Sequence, residues 1–168
     1  MIVGILGGAR RINPKNAQQA PEVLVLVGDG ECSAEAICAA RHLLNHHVKP
    51  LLYMPTQMLP TLTQEGFGQY KIFVNSGGAV IDAGSGLPQT PVDLIVDAIG
   101  PAGASAGQQL APSSAAAVQW CKSSKASVLA LEHPGGVDPD GGVHSGPSIK
   151  AARCVAFGLP KVGEGFAA

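Results

Sequence analysis

The sequence is poor in aromatic residues, which make up 4% of it, and poor in charge, with 14% of its residues ionisable acids and bases. So few rings leave little on which single-stranded bases could stack, which argues against an aromatic-lined nucleic-acid groove. Acidic and basic residues nearly cancel, 12 against 11, which argues against an extended cationic face that binds through phosphate charge. No apolar run reaches the length of a membrane span. The four cysteines, Cys32, Cys38, Cys121 and Cys154, are scattered with no Cys-x-x-Cys pair. That spacing argues against a zinc ribbon or a redox motif and leads to the expectation of reduced thiols in a cytoplasmic compartment. Glycine, alanine, valine and leucine are abundant instead, a bias that suits helices packed closely on a sheet.

The most informative stretch runs from Leu24 to Leu43. Val23–Val27 is a short valine- and leucine-rich run closed by Gly28, the pattern of a strand buried on both faces of a parallel sheet. Gly28 and Gly30 permit a tight turn, and Ser33 is placed to cap a helix whose apolar positions Ile37, Ala40, Leu43 and Leu44 recur at helical spacing. A strand, a glycine-bearing loop and a helix in this order give an anion-friendly helix start. The full dinucleotide fingerprint is absent, because its third glycine is Ser33 here and Tyr53, Met54 and Pro55 stand where an acidic residue should close the next strand.

Further strands are expected at Lys49–Met54, Ile72–Asn75, Val92–Ala98, Val128–Leu131 and Arg153–Phe157, with a short extended piece at Val80–Ile81. Helices are expected around Gln57–Glu65, started or kinked by Pro60, and over the alanine-rich Pro112–Lys122. Strand and helix in alternation predict an α/β, three-layer Rossmann-like fold, with a mostly parallel sheet covered by helices on both faces. Ligands of such sheets sit beyond the carboxyl ends of the strands. Three polar clusters fall there: Gly28, Asp29, Gly30 and Glu35 after the first strand; Asp97 at the end of Val92–Ala98; and Glu132 with His133 after Val128–Leu131. These seven residues are the candidate ligand-binding set.

Other groupings are weaker. His42, His46 and His47 share helical spacing but lack a third ligand, so helix-end histidines are the preferred reading and no metal site is assigned. Asp138 and Asp140, beside Gly141 and Gly142, read as a turn and not as a calcium loop. Arg10, Arg11 and Lys15 are the candidate contacts to RNA phosphates, weighed against a solvated lead-in strand.

At the three polar clusters the chain resembles the YjeF N-terminal domain family, whose enzymes epimerise hydrated NADH and NADPH. The family loop Gly-Pro-Gly-Asn-Asn-Gly-Gly-Asp-Gly corresponds to Gly28–Ala36, followed by an intact Ala40-Arg41-His42-Leu43. The family strand Val-Asp-Ala-Leu-Phe-Gly corresponds to Val96-Asp97-Ala98-Ile99-Gly100, and Leu-Asp-Ile-Pro-Ser-Gly-Leu-Asp to Leu131–Asp138. The family's catalytic aspartate is thus Glu132 here, and the loop asparagines are missing. Leu6–Asn16, Arg41–His46, Thr90–Leu94 and Phe157–Pro160 resemble more closely the branch of the family found at the carboxyl end of mRNA-decapping enhancers.

Membership of that branch implies a homodimerising, non-catalytic scaffold with no required cofactor. It also implies association with the mRNA-decapping machinery and a place in cytoplasmic P-bodies. Residues 1–168 are expected to form one YjeF-N-like domain, truncated at both ends relative to the family. The alternative is an NAD(P)HX epimerase using Glu132 with Asp97, or a module that binds NAD(H) or another nucleotide without turnover.

Overall fold

A computed structural model describes residues 1–12, 19–28, 32–100, 110–142 and 146–159. It contains helix α1 (Ile2–Ile12), strand β1 (Glu22–Val27), α2 (Ser33–Leu44), β2 (Lys49–Met54), α3 (Gln64–Asn75), β3 (Ala79–Asp82), β4 (Leu94–Ala98), α4 (Pro112–Ser123), β5 (Ser127–Leu131) and β6 (Arg153–Val155). The six strands form one sheet in the order β3-β2-β1-β4-β5-β6, and every pairing is parallel. This is the doubly wound Rossmann-like order, more uniform than the mostly parallel sheet expected from sequence.

Alternation along the central strands divides the core into two layers. Val23, Val25 and Val27 of β1 and Leu94, Val96 and Ala98 of β4 pack with Leu6 of α1, with Ala36, Ile37, Ala40 and Leu43 of α2, and with Phe73 of α3. Their neighbours Leu24, Leu26 and Ile95 point the other way, onto Ala117, Val118 and Cys121 of α4. Successive side chains of a strand face opposite ways, so a strand covered on both sides must be apolar throughout. Residues 23 to 26 are fully buried for that reason. Each large aliphatic side chain taken out of water there contributes about 1.5–3 kcal/mol.

Several expectations are corrected by the structure. Ile72–Asn75, read as a strand from its β-branched residues, is the last turn of α3; Phe73 enters the core while Ile72 and Val74 stay exposed. The third strand in sequence is instead Ala79–Asp82, pairing with β2. Gln57–Glu65 is not one helix. A 3-10 segment, Thr56–Thr61, contains Pro60, and α3 starts afresh at Gln64, capped by Thr63, whose hydroxyl accepts the Gly66 amide at 3.1 Å. The start of the chain is helical, so Arg10 and Arg11 lie on α1 and not on a lead-in strand, while Lys15 falls outside the described residues.

Candidate functional site

The strand order reverses between β1 and β4, so the crevice of this fold opens at their carboxyl ends. Gly28 closes β1 there, its amide donating to the Ala98 carbonyl at 3.0 Å. A side chain is impossible at this point, since a Cβ on Gly28 would stand 2.2 Å from the Ile99 carbonyl oxygen. Gly28 is therefore spent on the close approach of two strand ends. Ser33 does not cap α2, as its position had suggested. Cys32 is the cap residue and makes no side-chain cap, while the buried Ser33 hydroxyl donates back to the Gly28 carbonyl at 2.8 Å. That bond ties the start of the helix to the end of the strand. Asp29 and Gly30 lie outside the described residues.

Asp97 is fully buried at the end of β4. Its carboxylate accepts the amide of Ile99 at 3.1 Å and, from a loop 38 residues away, the amide of Gly135 at 2.7 Å. Burial raises its pKa to about 6, against the opposing effect of those two hydrogen bonds. Cys121 of α4 is pushed up to about 12, by burial and then by the negative charge of Asp97. The site loop is shaped to meet the carboxylate: Gly136 has φ of 85°, and a Cβ on Gly135 would stand 3.1 Å from Asp97 Oδ1.

Glu132 follows β5 in a left-handed conformation, φ 64°, unusual for a residue with a side chain. Its amide donates to the Val155 carbonyl at 2.8 Å, and its carboxylate accepts the amide of Phe157. Both bonds reach toward the β6 edge. His133 is buried beside it, with its amide donating to the Leu131 carbonyl at 2.9 Å.

The candidate set is thus split. Gly28 and Asp97 meet at the β1–β4 crevice, and Asp97 joins the loop at Gly135, while Glu132 is engaged at β6. Glu35 is exposed in the first turn of α2 and lines a separate groove with Met1, Cys38, His42 and Phe157. Two functional partners escaped the sequence reading: Gly135, hidden among the many turn glycines, and the Phe157 backbone amide, which carries no side-chain signal. Among the described residues, no helix is long and apolar enough to cross a membrane and no group of histidine, cysteine and carboxylate side chains is placed to hold a metal ion.

A doubly wound parallel sheet with glycine at its reversal point and buried carboxylate contacts across the crevice defines a protein of the Rossmann-like class. The family model described as YjeF-related protein N-terminus matches residues 6–163, and the chain belongs to that family. It is 34% identical over 164 residues to the mouse Enhancer of mRNA-decapping protein 3, a match covering 95% of this chain and 30% of that protein, with the same figures for its human counterpart. It is 30% identical over 146 residues to an NAD(P)H-hydrate epimerase of Dehalogenimonas lykanthroporepellens, covering 84% of this chain and 56% of the enzyme. The crystal structure of the yeast protein ynu0 shares the fold, with a TM-score of 0.72 at 20% identity, over 96% of this chain and 70% of that one. The chain spans about 30% of the length of the decapping enhancers it matches.

Proposed function

We propose that this chain is a non-catalytic, YjeF-N-like domain of an mRNA-decapping enhancer, a self-associating scaffold that works with the decapping machinery in cytoplasmic mRNA decay and P-body assembly. The observation that carries this reading is that both carboxylates an epimerase would use are bound to the protein's own backbone. Glu132 holds the Phe157 amide, and Asp97 holds those of Gly135 and Ile99. A base must lie within hydrogen-bond reach of the proton it abstracts, and a displacement of roughly 1 Å can cost about a hundredfold in rate. Glutamate in place of aspartate adds one methylene, and here that reach ends on β6. The likeness to decapping enhancers over 95% of the chain supports the same reading.

The experiment is a domain exchange. Residues 1–168 replace the carboxyl-terminal domain of a decapping enhancer in cells that lack the endogenous protein, and the half-life of a decapping-dependent mRNA is followed. Restored decay and recruitment to P-bodies are expected. Decay no faster than with the domain deleted would remove the proposal.

A second reading, a nucleotide-binding module without turnover, draws its support from the crevice at the β1–β4 reversal, where doubly wound sheets take their ligands. Calorimetric titration with NADH and with ATP tests it, and a flat trace for both discards it.

A further inference from the structure

The helix-bearing layer next to α2 stops short of the sheet edge. The connection from β4 to β5 runs through α4 on the opposite face, and Ile149 of the long β5–β6 connection packs there too. No described helix from either connection covers Leu131 and Val155 on the α2 side. They floor a groove of about 630 Å³ instead, walled by α2 and bounded by Met1, Val3 and Phe157. Those last three are large apolar side chains left 67%, 47% and 55% exposed. Apolar surface gathered in one place on a folded domain marks an interaction site, and a sheet face of this kind is ordinarily covered by a helix.

The groove also carries a charge signature. Ala34 of α2 and Gly66 of α3 are in close contact, a Cβ on Gly66 standing 3.3 Å from the Ala34 Cβ, so the first turns of the two helices abut. Glu35 and Glu65, the next residue and the preceding one, both line the groove, and neither forms an ion pair with a described residue. Helix dipoles favour an acid at each start, but two like charges on abutting turns repel unless a cation joins them.

We propose that this groove is a docking site for an amphipathic helix of another polypeptide, one that lays apolar side chains spaced i, i+3 or i+4, and i+7 on Leu131, Val155 and Phe157, and carries a lysine or arginine at one end between Glu35 and Glu65. Helix-in-groove recognition reads these anchors. A second copy of the chain fits less well. A two-fold partner presents the same patch, so concave would face concave and the acidic rims would be brought together. The site is separate from the β1–β4 crevice and does not depend on the function proposed above.

The test is selection of a displayed library of helix-forming peptides of about 16 residues, roughly four turns, on the intact chain, followed by fluorescence anisotropy with a selected peptide. Enriched sequences are expected to combine a helically spaced apolar stripe with terminal lysine or arginine. The exposed pair Glu35→Lys and Glu65→Lys should weaken binding at least about tenfold with an unchanged circular dichroism spectrum, and Val155→Asp should abolish it. No enrichment, an acidic consensus, or affinity indifferent to the Glu35→Lys/Glu65→Lys pair would overturn the proposal. Self-association that the charge-reversed pair disrupts would also overturn it, by making a second copy the occupant.

Discussion

Asp97 accepts the Gly135 amide at 2.7 Å in a site closed to water, and this bond joins the end of β4 to the loop that follows β5. The carboxylate works as a suture between two connections of the sheet, and its burial has a consequence for stability.

Its native pKa, about 6, lies above the ordinary value of 3.8. The native state therefore holds this proton where the unfolded chain has released it, so the contribution of Asp97 to stability is greatest below pH 4 and is lost as pH rises through 6. The difference is worth about 3 kcal/mol at 1.36 kcal/mol per pH unit. Urea titrations of the wild type and Asp97→Asn at pH 4 and pH 7 should show the wild type losing about that much relative to the variant between the two values. A difference independent of pH would mean that Asp97 stays ionised throughout.

Gly28 and Gly68 should respond in opposite ways to alanine. At Gly28 the new methyl meets the Ile99 carbonyl oxygen at 2.2 Å, and at Gly68, inside α3, it meets nothing within 4 Å. Gly28→Ala is expected to destabilise by about 3 kcal/mol or more, since the obstacle is backbone. Gly68→Ala is expected to stabilise by about 0.5–1 kcal/mol through helix propensity. Thermal melts of the two variants check both signs.

The cysteines should separate by reactivity. Cys154 on β6 is exposed, Cys38 is half-buried, and Cys32 and Cys121 are buried, with the Cys121 thiol pushed up to about 12. The thiolate is the reactive form. Iodoacetamide at pH 8, read by peptide mass spectrometry, should modify Cys154 first and leave Cys121 intact until the protein unfolds.

Glu132 should behave as a latch on β6. Its carboxylate accepts the Phe157 amide, and a charge-assisted bond of this kind is worth about 1.5–3 kcal/mol. Glu132→Ala should speed hydrogen exchange at the Phe157 amide and leave exchange in β1 unchanged, whereas Glu132→Gln, which keeps an acceptor oxygen, should do so less.

The central fold was legible because buried parallel strands announce themselves as uninterrupted aliphatic runs. Val23–Val27, Lys49–Met54 and Val128–Leu131 lie within a residue of the observed strands. Ile72–Asn75 misled because Ile, Phe and Val favour strands locally, while the burial of Phe73 against the sheet holds them in a helix. The crevice was legible in outline, from the glycine after β1 and the aspartate closing β4. What Asp97 and Glu132 bind was not legible, because their partners are backbone amides of Ile99, Gly135 and Phe157, brought near only by the strand order. The capping role read for Ser33 failed for a related reason: its hydroxyl finds the Gly28 carbonyl closer to hand than an amide of its own helix.

Whether the carboxylates have left catalysis is decided most directly by assaying the purified, folded chain on hydrated NADH with potassium present. The account predicts no epimerisation above the uncatalysed rate, in the wild type and in Glu132→Gln alike. Turnover by the wild type that Glu132→Gln abolishes would contradict it and make Glu132 the base.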